Sequence, residues 1–181
     1  MRFCLPALFC ILCCNQLNAQ QNNIPADWAL YTDTAYHFSV RYPSDWEFKL
    51  KNTNTRFFIT SYNENEADKF RENINCIVRV MDDKAFTIKM AEDAIKKSLS
   101  EKLQDYQLLR TEYLTWNNSE TLEIEYTCTQ SANDITYSIH MLQRMGVVKG
   151  TLFTLTYTAE QKSFSKYIDT VKKVLQSLKV K

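Results

Sequence analysis

Two carboxylates on one strand are the residues of this chain best suited to chemistry. Glu123 and Glu125 alternate with Leu122, Ile124 and Tyr126, which predicts that both acids project from one face of a β-strand. Such a pair can serve as acid and base in glycoside hydrolysis when a sugar lies between the two carboxyl groups. The alternative is a polar strand face whose acids meet Lys or Arg on neighbouring strands. The hydrolase hypothesis requires that the two acids line a concave pocket. A sugar could then stack on the tryptophans Trp28, Trp46 and Trp116.

No other pattern predicts a catalytic, cofactor or metal site. His37 and His140 are the two histidines, and neither has the spacing of a metal-ligand motif. The two glycines, Gly146 and Gly150, are too few for a glycine-rich phosphate loop or a nucleophile elbow. With 22 Lys and Arg against 21 Asp and Glu, the chain lacks the basic surplus that holds a nucleic acid backbone.

The first residues have the pattern of an export signal. After the positive start Met1-Arg2, 11 of the 12 residues from Phe3 to Cys14 are apolar, a run too short to span a bilayer. Two processing routes stay open. Cleavage between Ala19 and Gln20 would release the chain, whereas lipidation of Cys14 would anchor it to a membrane. We therefore divide the chain into a signal peptide (1–19), a polar leader (20–27) and a single domain (28–181).

Two cysteines, Cys76 and Cys128, lie beyond the signal. An exported protein could join them in a disulfide, and closing a loop of about 50 residues would stabilise the fold by about 4 kcal/mol. Each cysteine is also in phase with apolar strand neighbours, which favours buried free thiols.

The elements that must position these residues follow from hydrophobic periodicity. A period of two predicts strands, and a period of 3.6 predicts helices after Thr87 and after Thr158, where Gln161 completes the spacing of a capping box. Short turns connect the second-half strands, so they are expected to form an antiparallel meander within a single sheet. The predicted strands are 28–31, 36–42, 46–50, 56–62, 74–81, 106–116, 121–130, 135–144 and 151–158.

Two phrases of the sequence resemble the PsbP family. One is Phe38-Ser39-Val40-Arg41-Tyr42-Pro43-Ser44-Asp45-Trp46, and the other is Leu155-Thr156-Tyr157-Thr158-Ala159-Glu160 followed by Phe164 and Tyr167. The resemblance implies an α+β fold: an α-β-α sandwich around a mainly antiparallel sheet. It also implies a protein without catalytic activity that binds or assists others.

The export signal and this resemblance together predict a non-catalytic accessory or binding module of the bacterial cell envelope. It would be periplasmic or secreted, or anchored to the outer membrane if lipidated. An envelope protein is the expected partner, the membrane is contacted through a lipid anchor alone, and the oligomeric state is left open. The alternatives are the glycan hydrolase and a lipid-anchored carrier of a small apolar ligand, which requires a cavity of several hundred Å³ between sheet and helices.

Overall fold

A computed structural model describes residues 24–51, 53–83, 85–132 and 134–181 of the chain. The predicted signal peptide, with Cys14, Ala19 and Gln20, lies outside the described residues, as does the first half of the leader. Neither helix within the described ranges is both long enough and apolar enough to cross a membrane.

The described residues form ten strands and two helices. Their order is β1 (Ala29–Asp33), β2 (Phe38–Tyr42), β3 (Glu47–Leu50), β4 (Thr55–Thr60), β5 (Asn73–Val80), α1 (Ile88–Lys102), β6 (Gln104–Trp116), β7 (Ser119–Ala132), β8 (Ile135–Val148), β9 (Thr151–Glu160), α2 (Phe164–Ser177) and β10 (Lys179–Val180). The chain is thus mainly β, in agreement with the predicted α+β class.

Seven strands form the larger sheet, in the order β3-β4-β5-β9-β8-β7-β6, with antiparallel neighbours throughout. The predicted meander is confirmed, because β6, β7, β8 and β9 are neighbours in sequence and in space. Two-residue turns connect several of these strands. Asn117 and Asn118 have φ values of 49° and 59°, and Lys149 and Gly150 have 51° and 74°, as the favoured hairpin turns require.

A second, three-stranded sheet has the order β1-β2-β10. The expectation of a single sheet is therefore wrong. The chain turns between β2 and β3, where the Trp46 backbone N–H donates to the Pro43 carbonyl at 3.1 Å, and β3 then joins the larger sheet. The closing strand β10 was not predicted, because two residues are too few to show a periodicity. The Asn117 side chain holds this strand in place: its amide N–H donates to the Leu178 carbonyl, and its oxygen accepts from the Val180 N–H.

Two hydrophobic clusters use alternate residues of the same strands and so lie on opposite faces of the larger sheet. On β9, Phe153, Leu155 and Tyr157 belong to the first cluster, whereas Leu152 packs against the second. The first cluster also receives the apolar stripe of α2 and Phe38 and Val40 of β2. The second receives α1 through Ile88, Ile95, Leu99 and Leu103, and the helix predicted after Thr87 is confirmed.

The predicted start of α2 is wrong. Thr158 is a residue of β9 opposite Asn73, and the helix begins at Phe164 after Ser163. The ladder between β8 and β9 continues past Thr158, since the Gln161 N–H still donates to the Ser138 carbonyl at 2.8 Å. A capping-box spacing therefore occurs here inside a strand that tertiary pairing extends.

Candidate functional site

Glu123 and Glu125 lie on one face of β7, as predicted, and every oxygen of the two carboxylates has a partner. Arg110 donates to Glu123 Oε1 at 2.8 Å and to Glu125 Oε2 at 3.2 Å. Arg144 donates to Glu123 Oε2, and His140 Nε2 contacts Glu125 Oε1 at 2.9 Å. This is the arrangement expected of a polar strand face, because the acids meet basic residues on β6 and β8.

We call this set of side chains the ionic network. It consists of Arg110, Glu112, Glu123, Glu125, His140 and Arg144, and it spans three neighbouring strands. The network is buried at its centre and open at the sheet edge. The Glu123 and Arg144 side chains are 5% and 6% exposed, whereas those of Arg110 and Glu112 are 40% and 49% exposed. Two arginines face three glutamates, so the network has one more negative than positive charge when His140 is neutral.

His140 connects the network to α2. Its ring stacks on that of Phe164 with the centroids 3.4 Å apart and the planes 7° from parallel. Burial lowers the pKa of His140 below its usual value, and the hydrogen bond to Glu125 offsets this effect in part. The imidazole is therefore neutral at pH 7, and its Nε2–H donates to the carboxylate of Glu125.

A polar groove adjoins the network on the same face of the sheet. Ser138 is two residues before His140 on β8, and Thr127 is opposite His140 on β7, so all three side chains project to one side. The groove has a volume of about 500 Å³ where it meets the turn before α2. The residues that line it there are Thr136, Ser138, Glu160, Gln161 and Lys162. A smaller pocket of about 170 Å³ adjoins it towards β6 and shares Ser138 and Gln161 with it; its other lining residues are Asp105, Gln107, Thr127, Cys128 and Thr129.

The groove is suited to hydrogen bonding with a polar ligand. Ser138, Thr136 and Gln161 are exposed, and their hydroxyl and amide groups can both donate and accept. The Thr136 hydroxyl already shares one hydrogen bond with that of Ser131, at 3.1 Å. The charged lining residues Glu160 and Lys162 already pair with each other at 2.9 Å. A ligand would therefore meet a surface that is hydrogen-bonding but close to neutral.

The structure gives little support to a sugar platform of tryptophans. Trp46 packs edge-on against Tyr167, Trp116 packs edge-on against Phe153, and both tryptophans are 6% exposed. Trp28 is half-buried against the same cluster. The three indoles thus stabilise the core on the α2 side of the sheet.

Both cysteines are buried and free. Cys76 belongs to the cluster on the α2 side of the sheet, and Cys128 belongs to the cluster on the α1 side. The sheet separates the two thiols, so the structure contains the free thiols and not the disulfide that the sequence left open. His37 lies in the turn between β1 and β2 with a φ of 52°, before the strand in which it was predicted.

A cavity also lies beneath the smaller sheet. It has a volume of about 220 Å³ and is lined in part by Tyr36, Val80, Val148 and Phe153. Pockets for drug-sized ligands usually measure about 300–1,000 Å³, so this space is below that range. A space of about 320 Å³ where the start of α1 meets the sheet, lined in part by Phe86, Ile88 and Val147, reaches the lower end of the range.

Sequence reasoning missed Arg110, Arg144 and the groove, although the register of the β6–β7 hairpin could have indicated Arg110. In a two-residue hairpin, paired residues lie at equal distances from the turn. Counting from Asn117 and Asn118 places Arg110 opposite Glu125, as the structure has it. The groove has no comparable signal, because strands β6, β7 and β8 and the turn before α2 all contribute to it.

The sequence profile described as PsbP matches residues 26–180. A comparison with curated proteins found no match. The solution structure of cyanobacterial PsbP (CyanoP) from Synechocystis sp. PCC 6803 is 16% identical, with a TM-score of 0.61, and the alignment covers 88% of this chain and 95% of that one.

Two further solved structures share the fold. A protein of unknown function from Pseudomonas aeruginosa is 9% identical with a TM-score of 0.59, covering 83% of this chain and 94% of that one. LpqN of Mycobacterium tuberculosis, described as involved in cell envelope biogenesis, is 13% identical with a TM-score of 0.55, covering 78% and 82%. The match over residues 26–180 shows that this chain belongs to the PsbP family.

Proposed function

We propose that this protein is a non-catalytic binding module of the bacterial cell envelope and that its polar groove holds a segment of an envelope protein. The single observation that carries the proposal is the contrast between the two halves of the site. The charged groups of the ionic network are paired with one another, whereas the hydroxyl and amide groups of the groove are exposed.

This contrast favours binding over catalysis. A general acid or base must reach the reacting group of a substrate, and the four oxygens of Glu123 and Glu125 are each directed at an arginine or at His140. The exposed hydroxyl and amide groups match the N–H and C=O groups of an extended peptide, which offers alternating donors and acceptors.

The location in the envelope is supported by the export signal pattern in the sequence. It is also supported by the fold that the chain shares with LpqN, which is itself described as involved in cell envelope biogenesis. The α-β-α layering that the resemblance implies is part of the proposal. It is supported by the attachment of α1 and α2 to clusters built from alternate residues of the sheet.

Co-purification from the native membrane fraction tests the proposal. Ser138→Arg would fill the groove with a long side chain, and the backbone hydrogen bond between Gln161 and Ser138 does not involve the altered group. Ser100→Arg is the matched control, because Ser100 is exposed on α1, on the opposite face of the sheet. The tagged full chain and both variants would be compared by quantitative mass spectrometry of the co-purified proteins.

We expect the unaltered chain and Ser100→Arg to recover the same partner in stoichiometric amount, and Ser138→Arg to lose it. Recovery of no partner by the unaltered chain would contradict a binding role, and equal recovery by all three proteins would contradict the groove as the site. Hydrolysis of envelope glycans by the purified chain that is lost in Glu125→Gln would replace the proposal with the hydrolase.

A further inference from the structure

Strand β6 is the long free edge of the larger sheet. It comprises 13 residues, whereas β3 at the other end comprises four. An exposed edge presents unpaired backbone N–H and C=O groups to another strand. Three large apolar side chains are also exposed on β6: Leu108 at 44%, Leu109 at 52% and Tyr113 at 36%. This edge therefore combines free backbone groups with apolar surface.

The turn between β6 and β7 determines which backbone groups face outward. Trp116 and Ser119 flank the two-residue turn and form a hydrogen-bonded pair, and bonded and non-bonded pairs alternate from there. Counting back along β6, Thr111 and Tyr113 fall in non-bonded pairs with β7. Their N–H and C=O groups are therefore directed at the free edge, where an added strand would find them.

The sequence of β6 complements itself about Thr111. If a second copy of β6 lies antiparallel with Thr111 opposite Thr111, then Arg110 lies opposite Glu112 of the second copy, and Glu112 opposite Arg110 of the second copy. The bulge at Leu108/Arg110 places Leu108 and Leu109 outside this regular pairing. Opposite charges at directly facing positions stabilise an antiparallel ladder.

Neighbouring registers lack this complementarity. Moving the axis to residue 110 places Arg110 opposite Arg110, and moving it to residue 112 places Glu112 opposite Glu112, and like charges at facing positions destabilise the ladder. Moving it to Tyr113 places Arg110 opposite Trp116 and Glu112 opposite Leu114. The register centred on Thr111 is thus the one in which both charges meet an opposite charge.

We propose that this chain forms a two-fold symmetric dimer through antiparallel pairing of β6 with β6 of a second copy, with Thr111 at the axis. Such a contact is isologous, so it closes after two copies. The ladder irregularities of β6 at Gln104/Gln107 and Leu108/Arg110 confine the regular pairing to the strand segment around the axis. The two larger sheets join into one, and the two ionic networks meet at their exposed ends.

Sedimentation equilibrium of the full chain, as the expressing cell processes it, measures the dimer. Glu112→Arg places an arginine opposite Arg110 of the second copy. It removes the bond of Arg110 to Glu112 within the chain and leaves the bonds of Arg110 to Glu123 and Glu125 in place. Glu66→Arg in the exposed loop before β5 makes the same change of charge away from β6. We expect Glu112→Arg to raise the dimer dissociation constant at least about tenfold and Glu66→Arg to leave it unchanged.

A cysteine at the axis tests the register independently. Thr111→Cys brings two thiols together across the axis, within the Cα separation that a disulfide accepts. Thr115→Cys is the matched control, because antiparallel pairing about residue 111 separates the two positions by about 27 Å. We expect a covalent dimer under mild oxidation with Thr111→Cys and none with Thr115→Cys. A monomer at every concentration, a dimer unaffected by Glu112→Arg, or equal cross-linking of both cysteine variants would each overturn the proposal.

Discussion

The Arg144 guanidinium donates two hydrogen bonds to a single carboxylate oxygen of Glu123, from Nε at 3.0 Å and from an Nη at 2.7 Å. Both side chains are almost fully buried, and they lie on the face of the larger sheet that packs against α2. A buried charge without its partner is costly, so the pair is best tested by removing each member alone and then both.

We expect Arg144→Met to lower the free energy of unfolding by about 3–5 kcal/mol, since Glu123 would remain buried with Arg110 as its one cationic partner. The double variant Arg144→Met with Glu123→Leu should recover part of this loss, because Glu123→Leu removes the buried carboxylate that Arg144→Met deprives of a partner. Urea unfolding of the two single variants and the double variant measures the coupling. Strictly additive losses would contradict an ion pair between these residues.

Asp33 provides a test in the acid range. Its carboxylate accepts hydrogen bonds from Arg56, Tyr31 and the backbone N–H groups of Ala35 and Tyr36. Burial alone would raise the pKa of Asp33, but the hydrogen bonds from the Tyr36 backbone and Arg56 outweigh it and hold the pKa below its usual value. A lowered folded-state pKa contributes stability that is present above the unfolded value of about 3.9 and is lost as the pH falls through the folded pKa.

Asp33→Asn should therefore be less stable than the unaltered chain at pH 7, by about 1.5–3 kcal/mol for the loss of charged hydrogen bonds. The difference should shrink as the pH falls below about 4, because the native carboxyl then becomes neutral as well. Thermal unfolding of both proteins from pH 7 to pH 2 measures this difference in stability. A difference that is independent of pH would contradict a lowered pKa of Asp33 in the folded protein.

Glu72 should show the opposite dependence on pH. It is 2% exposed, and Ser61 Oγ donates to its carboxyl group at 3.2 Å. Burial raises the pKa of Glu72 above its usual value, and the negative charges of Asp68 and Glu64 act in the same direction. The stability that this group contributes is present below the unfolded pKa of about 4.3 and is lost as the pH rises through the folded pKa.

Glu72→Gln should therefore be more stable than the unaltered chain at pH 7 and equal to it near pH 4. The urea midpoints of the variant and of the unaltered chain, measured at both pH values, test this prediction. A variant that is less stable at pH 7 would show that the charged form of Glu72 stabilises the loop before β5.

Gly146 allows β8 to pass close to two side chains. A Cβ added at Gly146 would lie 2.9 Å from Thr121 Oγ1 and 3.4 Å from Trp116 Cε3. We expect Gly146→Ala to destabilise the fold by about 1–3 kcal/mol through this overlap. Thr121→Ala in the same chain removes the closest contact, so the double variant should recover stability relative to the sum of the single losses. The same loss in the presence of Thr121→Ala would contradict the steric explanation.

Cys76 and Cys128 should react with thiol reagents after unfolding but not before. Burial raises the pKa of both thiols, and the thiolate is the reactive form. Intact mass after alkylation in buffer and in urea measures this. We expect both thiols to be alkylated in urea without a reductant. If the chain reacts only after reduction, and its mass before reduction is two hydrogens lower than that of the free thiol form, it contains a disulfide instead.

The strands and helices of the second half could be predicted because each carries a clear period, as the stripe of α2 from Phe164 to Leu178 shows. The second sheet could not, since β10 is two residues long and pairs with β2 across most of the chain. The pairing of Glu123 with Arg144 depends on the β7–β8 register, which requires knowing that two residues and not four separate those strands. The groove depends on the path of the chain between β9 and α2, for which the misplaced helix start gave the wrong geometry.

The contacts of β10 affect the order in which parts of the fold can form. Because β10 follows every other described element in the chain, β2 lacks one neighbour and the Asn117 side chain lacks both of its backbone partners until residues 178–180 are available. The hairpins from β6 to β9 are local in sequence and can form earlier. Completion of the smaller sheet therefore follows the formation of the hairpins of the larger one.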